Sequence, residues 1–329
     1  MMDLARANRR LRLYSALFFV SGMASLIYEI VWERLLQVYF GVTLISVTLI
    51  VAAYMTGLGL GSLAGGRVAR RLGSPLRAYG WIEMAIGAFG LASPFVINAV
   101  GYRTAGSTYP TAFLLSFALL LVPTFLMGAT LPILVQSLVV RLDTAGSVVG
   151  LLYGINTLGA ALGAVLAGYL LIGFFGFYGA IRTACLLNVL AGAVAIILSR
   201  REHPFTQETA QPRGVKMTAS QSRAWPLPQL LLAAFLIGFI HLGLELVWFR
   251  ILGVINKSSA YGFPTMLSVF LIGLAVGSMI WGRRVDGVRD PIRLFWRIEL
   301  WVGVLALLPL LLAYAGMHST WIQPWFKTT

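Results

Sequence analysis

A chain of 329 residues of which 59% are hydrophobic and 11% charged, with a mean hydropathy of +0.85, carries too much apolar surface to fold as a soluble globular domain. Its apolar runs are continuous over about 20 residues instead of alternating over about ten, which excludes a transmembrane β-barrel and leaves an all-α helix bundle with the lipid bilayer as its solvent. The formal charge of +14 is concentrated in particular loops, so it reports membrane topology and lipid headgroups, and no nucleic-acid partner is expected.

Nine spans are predicted, near 13 to 37, 43 to 65, 79 to 100, 111 to 136, 147 to 173, 179 to 198, 229 to 253, 262 to 281 and 295 to 316, each long enough for a tilted crossing of about 30 Å of hydrocarbon. The first follows Arg6, Arg9, Arg10 and Arg12, a start like that of a signal peptide, but a near copy of this helix recurs mid-chain, so the N-terminus is expected to be retained. This span carries Glu29, Trp32, Glu33 and Arg34. The second carries Gly57, Gly61 and Gly65 at four-residue spacing, a pattern that lets helix backbones approach closely in lipid. Glu83 is expected at the loop end of the third span, favouring the helix dipole and lying near Arg67 as a structural latch. Pro123 and Pro132 predict a kinked fourth span. Asn156 in the fifth span is placed to glue helices or to contact a polar ligand, and Gly159 and Gly163 repeat the small-residue spacing. The sixth holds Cys185, the only cysteine, so no internal disulfide can form.

Residues 199–228, rich in Gln, Thr, Ser, Pro and charge, read as a cytoplasmic linker. It divides a first six-helix membrane repeat, 1–198, from a second, incomplete one, 229–329. The seventh span then brings His241, Glu245, Trp248 and Arg250, and the ninth Glu299. The histidines at 203, 241 and 318 have no metal-ligand spacing, so neither a metal nor any other cofactor is expected.

Lys and Arg separate by loop. Arg6 to Arg12, Arg67 to Arg77, Arg141, Arg200 to Arg223 and Arg283 to Arg297 fall on one side, and only Arg103, Lys257 and Lys327 on the other. The positive-inside rule puts the N-terminus and the basic loops in the cytoplasm of a cell whose inner membrane the chain crosses several times.

A repeat underlies this pattern. Glu29, Trp32 and Arg34 match Glu245, Trp248 and Arg250; "GLGLGSLAGGR" from Gly57 matches "GLAVGSMIWGR" from Gly273; and Arg77, Glu83 and Gly87 match Arg293, Glu299 and Gly303, all at one constant offset. Six spans pass before the pattern restarts, an even number, so both copies enter the membrane from the same face. The second copy stops after three helices, and the chain is expected to be a fragment of a protein with at least three further spans.

The loops "GGRVARRLG" and "WGRRVDG" resemble the Gly/Arg loop motif of the major facilitator superfamily, although Gly65 and Gly66 replace the acidic residue usual before the first arginine. "SGMASLIYEIVWERLL", "GLGLGSLAGG", "PTFLMGATLPIL" and "GLLYGINTLGAALGAVLAGYLL" are similar to the membrane half of the fused major-facilitator and spermidine-synthase-like proteins. That resemblance implies a major-facilitator-like bundle, a polyamine or other organic cation as ligand, and a cytoplasmic synthase-like partner domain. No βαβ stretch, glycine-rich nucleoside loop or aminopropyl-transfer site occurs in this chain, and no nucleophile, base and orienter stand together as a catalytic site.

Ionisable residues inside a bilayer cost roughly 2.5 to 3.5 kcal/mol at a helix centre, so they are functional candidates by default. Glu29, Glu245, Arg34, Arg250, His241 and Asn156 are the candidate substrate-binding residues. Two symmetry-related carboxylates facing one another across a cavity suit a cation; alternatively, Glu29 and Arg34 neutralise each other or a neighbour. Trp32 and Trp248 are expected at the membrane interface or against substrate. Arg67, Arg283, Glu83 and Glu299 are the candidate gating residues. The functional readings are a transporter-like domain for an organic cation, a membrane anchor for a synthase-like domain, and a membrane enzyme.

Overall fold

Hydrocarbon offers no partner to a free backbone N–H, so each apolar run closes its own hydrogen bonds as a helix. The computed structural model describes residues 2–40, 43–104, 106–138, 145–200, 226–255, 261–288 and 290–318. The expected linker falls for the most part outside these residues, as do Arg141, Lys257 and Lys327. Among the described residues the chain runs α1 (Met2–Phe40), α2 (Thr43–Ala69), α3 (Pro75–Thr104), α4 (Tyr109–Leu138), α5 (Ala145–Val165), a π-helical turn (Leu166–Leu171), α6 (Ile172–Ser199), α7 (Leu227–Ile255), α8 (Gly262–Val285) and α9 (Pro291–His318). Each overlaps a predicted span; most extend it by a few residues, α1 begins well before it, and α5 with its π turn ends just short of it.

Among the described residues eight stretches are long and apolar enough to cross a membrane, and one of them, Ala145–Ser199, is 55 residues long. At 1.5 Å per residue that is more than twice the hydrocarbon thickness. Gly176 breaks it with φ +66° and ψ −176°, a conformation open only to glycine, so the stretch holds the fifth and the sixth crossing. α4 stays helical through Pro123 and Pro132.

The two copies of the repeat begin their third helix alike. Ser74 precedes Pro75, and its Oγ accepts from the Arg77 N–H at 3.4 Å. Asp290 precedes Pro291, and its Oδ1 accepts from the Arg293 N–H at 3.0 Å. A capping oxygen followed by proline at the first helical position satisfies the orphan donors of the first turn.

α1 to α8 belong to one compact unit, and α9 to a second. In the first unit α1 is the central helix, with Ile27, Tyr28, Ile30 and Trp32 fully buried and α2, α3, α4, α5 and α6 packed around it. Small residues make the seams. A Cβ added at Gly57, Gly61 or Gly65 of α2 would strike Thr124, the Phe125 carbonyl or Ala129 of α4. Gly159 and Gly163 of α5 lie on the backbone of Phe19 and Met23 in α1, and Gly150 of α5 lies on Gly282 of α8. Such contact replaces the hydrophobic driving force that lipid removes. α7 is different: among its described side chains from Pro228 to Ile251, Glu245 alone is fully buried.

Candidate functional site

The site is built on α1 and α7. Glu29 is 4% exposed and Glu245 8%, and the two carboxylates lie within electrostatic reach of one another, with Glu33 one turn further along α1. Tyr54 of α2, itself buried, reaches both Glu29 and, by a hydrogen bond, Ser25. The repeat pairs Glu29 with Glu245 in sequence, and α7, which packs chiefly on α8, leaves the two carboxylates within electrostatic reach. Leu242, Leu246, Trp248 and Phe249 pack the same helix against the core, and a carboxylate among them costs insertion energy that a leucine would not.

Arg34 does not neutralise Glu29. Its Nε lies 3.7 Å from Oε2 of the adjacent Glu33, whose Oε1 accepts from Gln37 Nε2 and which also bonds Ser46. Five residues apart on a helix is a poor spacing for a direct pair, and the neighbour wins. Among the described residues no Lys or Arg forms an ion pair with Glu29 or Glu245. His241 is half-buried one turn before Glu245, and Arg250 is exposed one turn after it.

Other residues singled out in the sequence go elsewhere. Trp32 is neither at an interface nor open to a ligand: it is fully buried, stacks on Tyr28 at 5.4 Å and donates from Nε1 to Ser93 Oγ at 2.7 Å. Asn156 Nδ2 donates to the Phe18 carbonyl at 2.8 Å, joining α5 to α1. Arg67 is exposed and bonds the Leu63 carbonyl of its own helix, while Arg283 is exposed at the end of α8.

Glu83 is not at the start of its helix beside Arg67. It lies eight residues beyond Pro75, about 12 Å along the axis, where the dipole of the first turn has faded. There it is wholly buried and accepts from Ser21 Oγ of α1 at 2.6 Å and from Asn188 Nδ2 of α6 at 2.5 Å. Glu299, its repeat counterpart, is half-buried on α9 in the second unit.

Two functional features were not legible beforehand. Asp286, after α8, accepts from the N–H of Gly146 at 3.1 Å and of Ser147 at 2.9 Å, and from Ser147 Oγ, so it caps the N-terminus of α5. Its one signal is that the first copy has Arg70 at the matching position, so the second loop alone carries this acid. Of the Ser21–Glu83–Asn188 cluster only Glu83 stood out, as a helix-end acid; a lone Asn in an apolar span was the remaining signal.

A profile described as Major Facilitator Superfamily matches residues 13–328. Polyamine aminopropyltransferase 2 of Streptomyces coelicolor is 28% identical over 192 residues, 56% of this chain and 34% of that protein. Polyamine aminopropyltransferase of Corynebacterium efficiens is 28% identical over 210 residues, 62% of this chain and 38% of that protein. The chain thus matches little more than a third of either relative. No solved structure matches it.

Proposed function

This chain belongs to the major facilitator superfamily, and from that premise we propose that it is the transporter-like membrane part of a protein related to polyamine aminopropyltransferases, binding an organic cation between Glu29 and Glu245. The observation that carries the reading is the burial of the Glu245 carboxylate on the core-facing side of α7, within electrostatic reach of Glu29 and without a cationic partner among the described residues. A bound ammonium completes this arrangement, because two carboxylates in a low-dielectric interior repel until a cation or proton intervenes. Polyamines are the favoured ligand because both relatives are polyamine aminopropyltransferases. The basic loops and the N-terminus lie in the cytoplasm and the membrane is the inner one, as the Lys and Arg distribution implies. The candidate roles of Arg34, Arg250 and His241 are to set the field around the pair, and Asn156 acts as helix glue.

A second reading, a membrane anchor that moves nothing, draws on those same relatives, since most of each lies outside the matched region. Binding of radiolabelled spermidine to the purified chain in nanodiscs separates the two. Hydrogen bonds to charged groups contribute about 1.5–3 kcal/mol, so Glu29→Gln and Glu245→Gln should each weaken binding by about 10- to 150-fold. Equal binding by wild type and both variants removes the carboxylates from the mechanism, and no binding by wild type favours the anchor.

A further inference from the structure

A second buried carboxylate lies apart from the Glu29–Glu245 pair. Glu83 of α3 is 0% exposed and is held by Ser21 of α1 and Asn188 of α6, with the Tyr79 ring of its own helix beside it. Glycines close it in: a Cβ at Gly192 would meet the Glu83 Cβ at 3.3 Å, and one at Gly87 would meet the Asn188 Cβ at 3.4 Å. Among the described residues no Lys, Arg or His pairs with it. Two polar oxygens in the same seam lack a partner, Asn188 Oδ1 and Tyr28 OH, both on fully buried residues. The Tyr28 hydroxyl lies over Gly90 and within electrostatic reach of Glu83.

We propose that Glu83, Ser21 and Asn188 form a proton-binding site inside the α1, α3 and α6 seam, distinct from the cation site on α1 and α7. An ionised carboxylate sealed from water with no cation is costly, and neutralising it by one proton removes that cost. Asn188 suits both states. Its Nδ2 donates to the ionised carboxylate; after a half-turn of the amide, its Oδ1, now orphaned, accepts from the O–H of the neutral acid. The step is simple to balance: Glu83 Oε2 gains one proton from water-borne hydronium, an O–H bond forms, and the carboxylate loses its charge.

The other groups facing Glu83 do not compete for that proton. α1 presents Ser21 and Tyr28, α6 presents Asn188, with the thiol of Cys185 beside Tyr28, and α3 itself presents Tyr79, whose hydroxyl donates to the Leu17 carbonyl at 3.2 Å. α4, also packed on α3, has only Tyr109 among titratable residues, exposed at the opposite end of the helix pair. A metal ion fits less well, because both carboxylate oxygens already accept from neutral donors and the described residues contain no cluster of three or more acidic, His or Cys ligands.

Infrared difference spectroscopy of the full chain in nanodiscs, recorded from acid to alkaline pH, tests this through the C=O stretch of a protonated carboxyl. Wild type should show such a band buried from solvent exchange. In a Glu29→Gln, Glu245→Gln background, which removes any proton held by that pair, the band should persist, and adding Glu83→Gln should abolish it. Asn188→Ala should shift its frequency with Glu83 intact, which keeps the assignment independent of whether Glu83→Gln folds. The proposal is overturned by a band unaffected in both Glu83→Gln and Asn188→Ala, by a Glu83 carboxylate signature at every pH, or by loss of the band on adding Na⁺ at fixed pH. Because spermidine binding is read separately, failure here leaves the Glu29–Glu245 reading intact, and the reverse also holds.

Discussion

Replacing Asp286 by alanine should loosen the N-terminus of α5 without disturbing the helices around α1. The carboxylate satisfies two of the four orphan N–H groups of that helix, those of Gly146 and Ser147, and also receives the Ser147 hydroxyl. Loss of an N-cap acceptor costs about 0.5–2 kcal/mol, and loss of an anion at the positive end of the helix dipole about 0.3–1 kcal/mol more. Together these amount to roughly 1–3 kcal/mol, or about 5- to 150-fold in a local opening equilibrium. Hydrogen exchange with mass spectrometry should therefore show faster exchange confined to the peptide holding Gly146 and Ser147. Asp286→Asn, which keeps an acceptor and removes the charge, should recover a large part of the protection. Unchanged exchange in Asp286→Ala would refute the cap, and equal acceleration across α2 and α4 would mean that the effect is global rather than local.

Two further outcomes follow from the same geometry. Cysteines placed at Arg67 and Arg283, both exposed, should react with a membrane-impermeant reagent from the same side of sealed vesicles, since the repeat contains an even number of crossings; labelling from opposite sides would break the parallel-repeat reading. Gly61→Leu should force α2 away from the Phe125 carbonyl and destabilise the chain by about 1–3 kcal/mol, read as a lowered thermal midpoint in detergent, whereas the same change at Gly59, where an added Cβ meets nothing, should leave the midpoint near wild type.

How far each feature could be read in advance depended on whether its cause is local. The spans follow from the length of apolar sequence needed to cross hydrocarbon, a property of the residues alone, so α1 to α9 lie where the apolar runs lie. The gap between spans five and six was placed between residues 173 and 179, and Gly176 makes the break there. The pairing of Glu29 with Glu245 was visible because duplication writes the same residue twice in one register.

Partners across helices were not legible for the opposite reason. A helix that is apolar almost all round shows no face in its sequence, so nothing in the order of residues says that Trp32 turns inward to Ser93, or that Arg34 meets Glu33 rather than Glu29. Glu83 read as a helix-end acid because its distance along the chain from Arg67 is short; only the rotation of α3 about its axis decides that it meets Ser21 and Asn188 instead. Asp286 reaches α5 across more than a hundred residues of sequence, by the docking of α8 on the Gly146 to Gly154 face. Composition and repetition therefore determined which segments cross and which carboxylates correspond, while helix rotation and packing, set by small-residue contacts distributed over the whole bundle, decided what each buried charge touches.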